Sequence, residues 1–334
     1  MDILALSEMN GVSGNETAVR GYIKDKIKNI ADDITSDSMG NIIALKRGKS
    51  SEKRLAVTVN MDEPGFIISE ITDKGYLKFK AVGNVDTRKI ISKKVVVGNN
   101  VKGVIGMKAI HLQTRTEREN TVEIKKLFID IGAKDKTEAE KRVKLGDYVA
   151  FYTETKIIGE NVKGKALDRS GVCAALIDAL NTEYPYDVYA CFLVQHEVGA
   201  RGAKIVAHRI NADAILTVST ADTTDMYGKG KGGMQMGEGV MINYADKTVI
   251  ADKRLTDFMY VQAQKEGIAV QSKVLKPFNS DAGAMQYNAL PSRCLSAAIP
   301  CRYSHSPVSL MSVKDIKSAS DYISLFLNKI GEML

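Results

Sequence analysis

The apolar positions of this chain fall into three textures. Near the start, Val19, Tyr22, Ile23, Ile27 and Ile30 recur at intervals of one, three and four residues in "TAVRGYIKDKIKNI", the spacing of a helix with one buried face. Just ahead, "SGNE" sets Ser13 three residues before Glu16, which predicts a capping box over the helix's first unpaired N–H groups. "GNIIALKRG" and "RLAVTVNMDEPGFIISEI" are β-branched, bounded by charged turns, and predict strands. From about residue 67 to 162 the apolar runs shorten. "YLKFKAV", "KIISKKVVV", "VKGVIGMKAI", "KKLFIDIG" and "DYVAFYTE" predict strands joined by turns, with one helix at "KTEAEKRVK"; the whole suits a small β-barrel or sandwich. From Gly164 onward helix and strand alternate: "SGVCAALIDALN", "VYACFLVQ", "GAKIVAHRI", "DAILTVST". Long crossovers between buried strands imply a mostly parallel sheet faced by helices. The chain therefore reads as an α/β domain over residues 1–66 and 163–334, interrupted by a β insert over residues 67–162.

Composition narrows the function. Of 334 residues, 44% are hydrophobic and 26% charged, the balance of a globular domain. No apolar run is long enough to span a bilayer, and "MDILALSEMNGVSG" lacks the basic start and apolar stretch of a secretion signal; a cytoplasmic protein is expected. The net charge of +7 comes from Lys and Arg interleaved with Asp and Glu, a solvated surface rather than a nucleic-acid footprint. Four scattered cysteines without a C-x-x-C pair predict buried thiols rather than a disulfide framework.

In open α/β sheets, function gathers where strands end. Here those places are Asn60–Glu63, His196–Glu197 and Ser219–Asp225. Two loops add Asp168 in "KALDRSG" and His305 in "RYSHSP". "HEVGA" begins like a zinc-binding H-E-x-x-H helix, but Ala200 stands where the second imidazole is needed. "GKGKGG" at 228–233 lacks the spacing of a phosphate loop and reads as a hairpin or a loop beside the site. No G-x-S-x-G elbow is present. Two carboxylates and an imidazole, Asp168, Glu197 and His305, compose a plausible zinc shell completed by water. Polar strand ends without any metal are just as common, and spacing alone leaves both readings open.

"GVSGNE", "SDSMGNIIALKRG", "VNMDEPGFII", "KGVIGMKAIHL", "KKLFIDIGAK", "VKLGDYVAF", "GKALDRSGVCAAL", "LVQHEVGARGA", "FNSDAGAM" and "RYSHSPVSL" add what spacing lacks. In this order, over nearly the whole chain, they resemble the cytoplasmic metallo-aminopeptidases that assemble into tetrahedral dodecamers. That family includes glutamyl and deblocking aminopeptidases and relatives once labelled endoglucanases. The resemblance implies a zinc-aminopeptidase-like mixed sheet with helices on both faces, carrying an inserted β-barrel. It implies a homo-oligomer, from a dimer through the insert to a dodecamer, and a peptide or small amide as substrate, with no nucleic-acid or membrane partner.

The family holds two zinc ions bridged by one Asp, with a Glu beside a metal-binding Glu as general base. The resemblance puts Asp168 on the bridging position, Glu197 and His305 on the other ligands of the first metal, and Asp62 on the carboxylate two residues after the second metal's His. Several positions depart. Asn60 replaces that His, His196 replaces the base, and Ser219 replaces the Asp that closes the second site, with Asp222 three residues on. Arg169, Ser170 and Ser309 are also atypical. An amide oxygen is a poor zinc ligand beside imidazole, so Asn60, Ser219 and Asp222 are expected to form a degenerate, empty or weak second site. One divalent metal is expected at the first, zinc ahead of cobalt or manganese. His196 is left as base, as fourth ligand or as neither. Three functions remain open: an altered one-metal hydrolase of peptides or related amides; a silent relative that binds peptide or joins an oligomer; and a different hydrolase chemistry in the same pocket.

Overall fold

Strand alternation sorts the apolar side chains onto two faces of one sheet. The computed structural model describes residues 2–228, 233–274, 280–287 and 292–334; most of "GKGKGG" and the first two residues of "FNSDAGAM" lie outside them. In chain order the strands are β1 (Asp33–Ser36), β2 (Ile42–Lys46), β3 (Ser50–Asn60), β4 (Gly65–Ile71), β5 (Leu77–Val82), β6 (Lys94–Val97), β7 (Val101–Gly106), β8 (Phe128–Asp130) and β9 (Tyr148–Phe151). They continue as β10 (Lys156–Ile158), β11 (Asn161–Gly164), β12 (Tyr186–Leu193), β13 (Ala214–Asp222), β14 (Val240–Asn243), β15 (Val270–Lys273), β16 (Arg293–Arg302) and β17 (Ser309–Ser312).

The large sheet runs β1-β2-β12-β3-β13-β16-β17-β11-β10, with β14 and β15 branching from β16. It is mixed: its centre, β12-β3-β13-β16, is parallel and its edges are antiparallel. On one face Leu55, Val57 and Val59 of β3 join Leu216 of β13 and Phe192 of β12 beneath the helices Leu167–Ala179 and Val313–Lys329. On the other, Ala56, Cys191 and Ile215 meet Ala203 and Val206 of the helix Arg201–Ala207. The helix Leu167–Ala179 is buried nearly all round, as befits one enclosed on several sides. All four cysteines are buried and unbridged.

β4-β5-β8-β7-β6-β9 close into a barrel. Its core has Phe66 meeting Phe79 and Phe151 edge-on, with ring centroids 4.8 and 5.5 Å apart, geometry that suits aromatic quadrupoles. No helix among the described residues is long and apolar enough to cross a membrane.

The capping box expected of Ser13 and Glu16 does not form. The helix Thr17–Ile27 starts with no side-chain cap. Ser13 Oγ instead donates to Asp62 Oδ2 at 2.5 Å, and Glu16 Oε1 accepts N–H groups of Gly14 and Gln195. A fully buried carboxylate such as Asp62 needs donors more than an exposed helix end does, and bonds to an ionised acceptor are the stronger ones. Because β3, β12, β13 and β16 run the same way, their carboxyl ends open on one edge, and the loops that follow them form one cleft.

Candidate active site

The backbone at this edge is strained. Among the described residues six non-glycine positions have left-handed φ, and five of them, Ala166, Gln195, Ala200, Tyr303 and His305, flank the cleft. Each costs on the order of 1 kcal/mol or more, and such outliers cluster where geometry serves function. Gln195 and Ala200 bracket the turn bearing His196 and Glu197; Ala166 precedes the helix whose first turn holds Asp168.

Asp168, Glu197 and His305 come together from three separate elements. Their ligating atoms all lie within 4.8 Å of one another. His305 Nε2 stands 3.1 Å from Glu197 Oε1 and 3.8 Å from Asp168 Oδ2. Thr220 Oγ1 donates to the Asp168 carbonyl at 2.8 Å, fixing the helix start against β13. Burial pushes the Asp168 carboxyl up, helped by the Glu197 charge and opposed by His305. Burial also works against Glu197, but its hydrogen bond from His305 holds it below the usual range. Burial would lower His305; Glu197 and Asp168 outweigh it and raise the imidazole to about 9. Two crowded carboxylates and an imidazole fit a divalent metal in number, donor type and proximity.

The neighbouring imidazole faces elsewhere. His196 is not one of the 4.8 Å set. Its Nδ1 lies 2.8 Å from Asp281 Oδ1. Burial would lower this ring, but the charges of Asp281, Asp62 and Glu197 raise it to about 10. Asp62 Oδ1 and Oδ2 accept the backbone N–H groups of His196 and Glu197, each at 3.0 Å. Asp62 thus positions the turn and does not project into the cleft. Burial drives its carboxyl up to about 7, against the pull of His196.

Asn60 and Asp222, two residues of the expected second metal site, are engaged in hydrogen bonds of their own, and Ser219 is buried. Asn60 Nδ2 donates to the Asp62 carbonyl at 3.3 Å. Ser219 is buried inside β13, since that strand continues to Asp222. Asp222 Oδ1 accepts both the backbone N–H and the hydroxyl of Ser304, at 3.1 and 2.8 Å, and so braces the His305 loop. An amide, a hydroxyl and a carboxylate already engaged do not fit a second zinc.

Beneath the cleft Glu63 is buried with two cations. Its carboxylate meets Lys165 Nζ at 2.8 Å and Arg169 Nη2 at 3.2 Å, and Gly11 donates its N–H to it. The cleft itself is a cavity of about 1240 Å³, whose walls include Lys204, His208 and Lys247, with Asn84 from the barrel. Sequence reasoning missed Asp281 and Lys165, and placed Glu63 at a strand end without a role. Asp281 lies in "FNSDAGAM" and Lys165 in "GKALDRSG", so the motifs held the residues but not their partners.

The family model described as M42 glutamyl aminopeptidase matches residues 40–322. A protein of Acetivibrio thermocellus named "Putative aminopeptidase" is 36% identical over 313 residues, 92% of this chain and 92% of its own length. The structure of a TET aminopeptidase from a Thaumarchaeota archaeon superposes with a TM-score of 0.95 at 29% identity, covering 99% of this chain and 98% of that one. The TET1 peptidase of Pyrococcus horikoshii, described as able to assemble into a tetrahedron or a large octahedral shell, gives 0.86 at 29% identity, with 97% and 98% covered.

Proposed function

The chain belongs to the M42 glutamyl aminopeptidase family, and from that premise we propose that it hydrolyses peptides or related amides with one divalent metal, zinc first, instead of a pair. The observation that carries this reading is the convergence of Asp168, Glu197 and His305 within 4.8 Å, beside a second ligand set reduced to Asn60, Ser219 and the engaged Asp222. Asp168, Glu197 and His305 would hold the ion, which when bound supplies Lewis acidity toward a substrate carbonyl.

The proton work falls to His196, in the place the family gives to a Glu. Nδ1 is taken by Asp281, and His196 lines the cavity, so Nε2 is the nitrogen offered to a substrate. It accepts a proton from the attacking water as the water oxygen bonds to the amide carbon. It returns that proton to the amine nitrogen as the C–N bond breaks. Metal-free, the surrounding carboxylates keep this ring an imidazolium; a dication nearby opposes that and favours the neutral ring. A second reading, a relative that binds peptide without cutting it, draws on the imidazole of His196 standing where the resemblance gives the family a carboxylate base.

Self-assembly belongs to the proposal. The support is the assembly described for the Pyrococcus horikoshii relative and the exposed Ile110 and Leu112 on the barrel insert.

Metal analysis of protein reconstituted with zinc, cobalt or manganese, coupled to a panel of aminoacyl amides, tests the function. One equivalent with cleavage supports the one-metal hydrolase. One equivalent without cleavage of any substrate supports the silent relative. Two tightly held equivalents refute the one-metal site.

A further inference from the structure

We propose that Asp281 is a positioning residue for His196, its buried carboxylate fixing the ring through Nδ1 so that Nε2 is presented to the cleft; its catalytic consequence rests on the hydrolase reading above. Four observations carry it. Nδ1 and Asp281 Oδ1 are 2.8 Å apart, and Asp281 is only 2% exposed. Asp281 occupies the N-cap of the helix Ala282–Gln286, where an Asp ordinarily bonds its own helix, yet it makes no side-chain cap; the carboxylate is turned to the imidazole instead. Both ends of the pair are anchored. The His196 backbone N–H is held by Asp62, and Ser280, next to Asp281, donates its hydroxyl to Asp246 at 2.7 Å and receives Thr248 Oγ1 on its carbonyl. Finally, His196 stands outside the Asp168, Glu197 and His305 set while lining the cavity, and its Nε2 has no hydrogen-bond partner among the described residues.

A carboxylate can only accept. It therefore demands the proton on Nδ1 and leaves Nε2 as the working atom, the arrangement by which a carboxylate orients a catalytic imidazole. Asp281→Asn lifts the demand, because an amide offers Nδ1 a donor as well as an acceptor and carries no charge to hold the Nδ1 proton.

The test is proton-detected NMR of histidine-labelled full-length protein, which has four histidines, with His196→Gln used to assign the His196 ring. The wild type is expected to show a downfield, slowly exchanging His196 ring N–H that Asp281→Asn removes while the thermal melt stays cooperative. Its persistence unchanged in Asp281→Asn overturns the proposal. Should Asp281→Asn fail to fold, the wild-type spectrum decides, since absence of that proton from the His196→Gln difference overturns the proposal as well. On a cleaved substrate, Asp281→Asn is expected to lower kcat by roughly 100-fold or more with KM little changed; an unchanged kcat also overturns it. Where the wild type cleaves nothing, the hydrolase reading fails, and the ring proton alone settles the role of Asp281.

Discussion

In the proposed one-metal hydrolase, His196 carries proton transfer and Asp168, Glu197 and His305 carry metal binding, so substitutions should separate the two. Glu197→Ala removes a ligand, and since even outer-shell changes cost about 10- to 100-fold in metal affinity, a larger loss is expected, read by titration against a competing chelator. His196→Gln should leave that affinity within a few fold, while cleavage falls by about 100- to 10,000-fold. His196→Glu, restoring the family's base, should raise cleavage; no gain would mean that the scaffold no longer accepts a carboxylate there. These residues were unequally legible. Asp168, Glu197 and His305 could be named because the ten motifs, taken in order, include the three that carry them. Asp281 could not, because its partner lies 85 residues away and only the sheet joins them. The Ser13 and Glu16 capping signal misled for a related reason: a local pattern cannot reveal that Asp62, 49 residues on from Ser13, competes for the hydroxyl.

At the scale of elements, two charged contacts hold the cleft's loops, one buried and one at the surface. Glu63 ties the loop after β3 to Lys165 and Arg169, and both cations also bond the Met9 carbonyl near the chain start. Burial alone would raise its carboxyl, but the two cations bring it below the usual range. Glu63→Gln leaves those cations uncompensated in a dry interior, and a loss of about 3–5 kcal/mol is expected from urea unfolding. Asp225, beyond β13, pairs with Arg302 at the end of β16 at 2.6 Å. Burial raises this carboxyl, but the Arg302 hydrogen bond outweighs it and holds it at about 2. The folded value lies below the unfolded one of about 3.9, so the ionised form stabilises the fold. That stabilisation is complete above about pH 4 and is lost as pH falls through about 2. Because both side chains touch solvent, its size is about 1 kcal/mol. Asp225→Asn should flatten the acid limb of the stability profile in that window, as read by denaturant midpoints at stepped pH. The strands and helices around these contacts were legible from periodicity. Strand limits were not: β13 runs through Ser219 to Asp222 because Asp222 still pairs with Cys301 in register, a partner supplied by distant sequence.

Across the whole molecule, the texture changes near residue 67, while the barrel's first strand begins at Gly65, within five residues of Asn60. Closure itself was not readable from short strands, since it depends on β4 meeting β9. Ile110 and Leu112 stand 64% and 62% exposed on the insert. Replacing both with Asp is expected to shift sedimentation toward smaller species without lowering the thermal midpoint of the chain by more than about 1 kcal/mol equivalent. The insert also reaches back to the catalytic edge. Gly83, just past β5, has φ +82°, and a Cβ there would lie 2.9 Å from Glu197 Cβ and 3.4 Å from Glu197 Oε2. Next to it, Asn84 lines the cleft together with Glu197. The barrel is thus a keeper on the latch: with Gly83 packed this closely on Glu197, the barrel cannot swing away without uncovering that side chain.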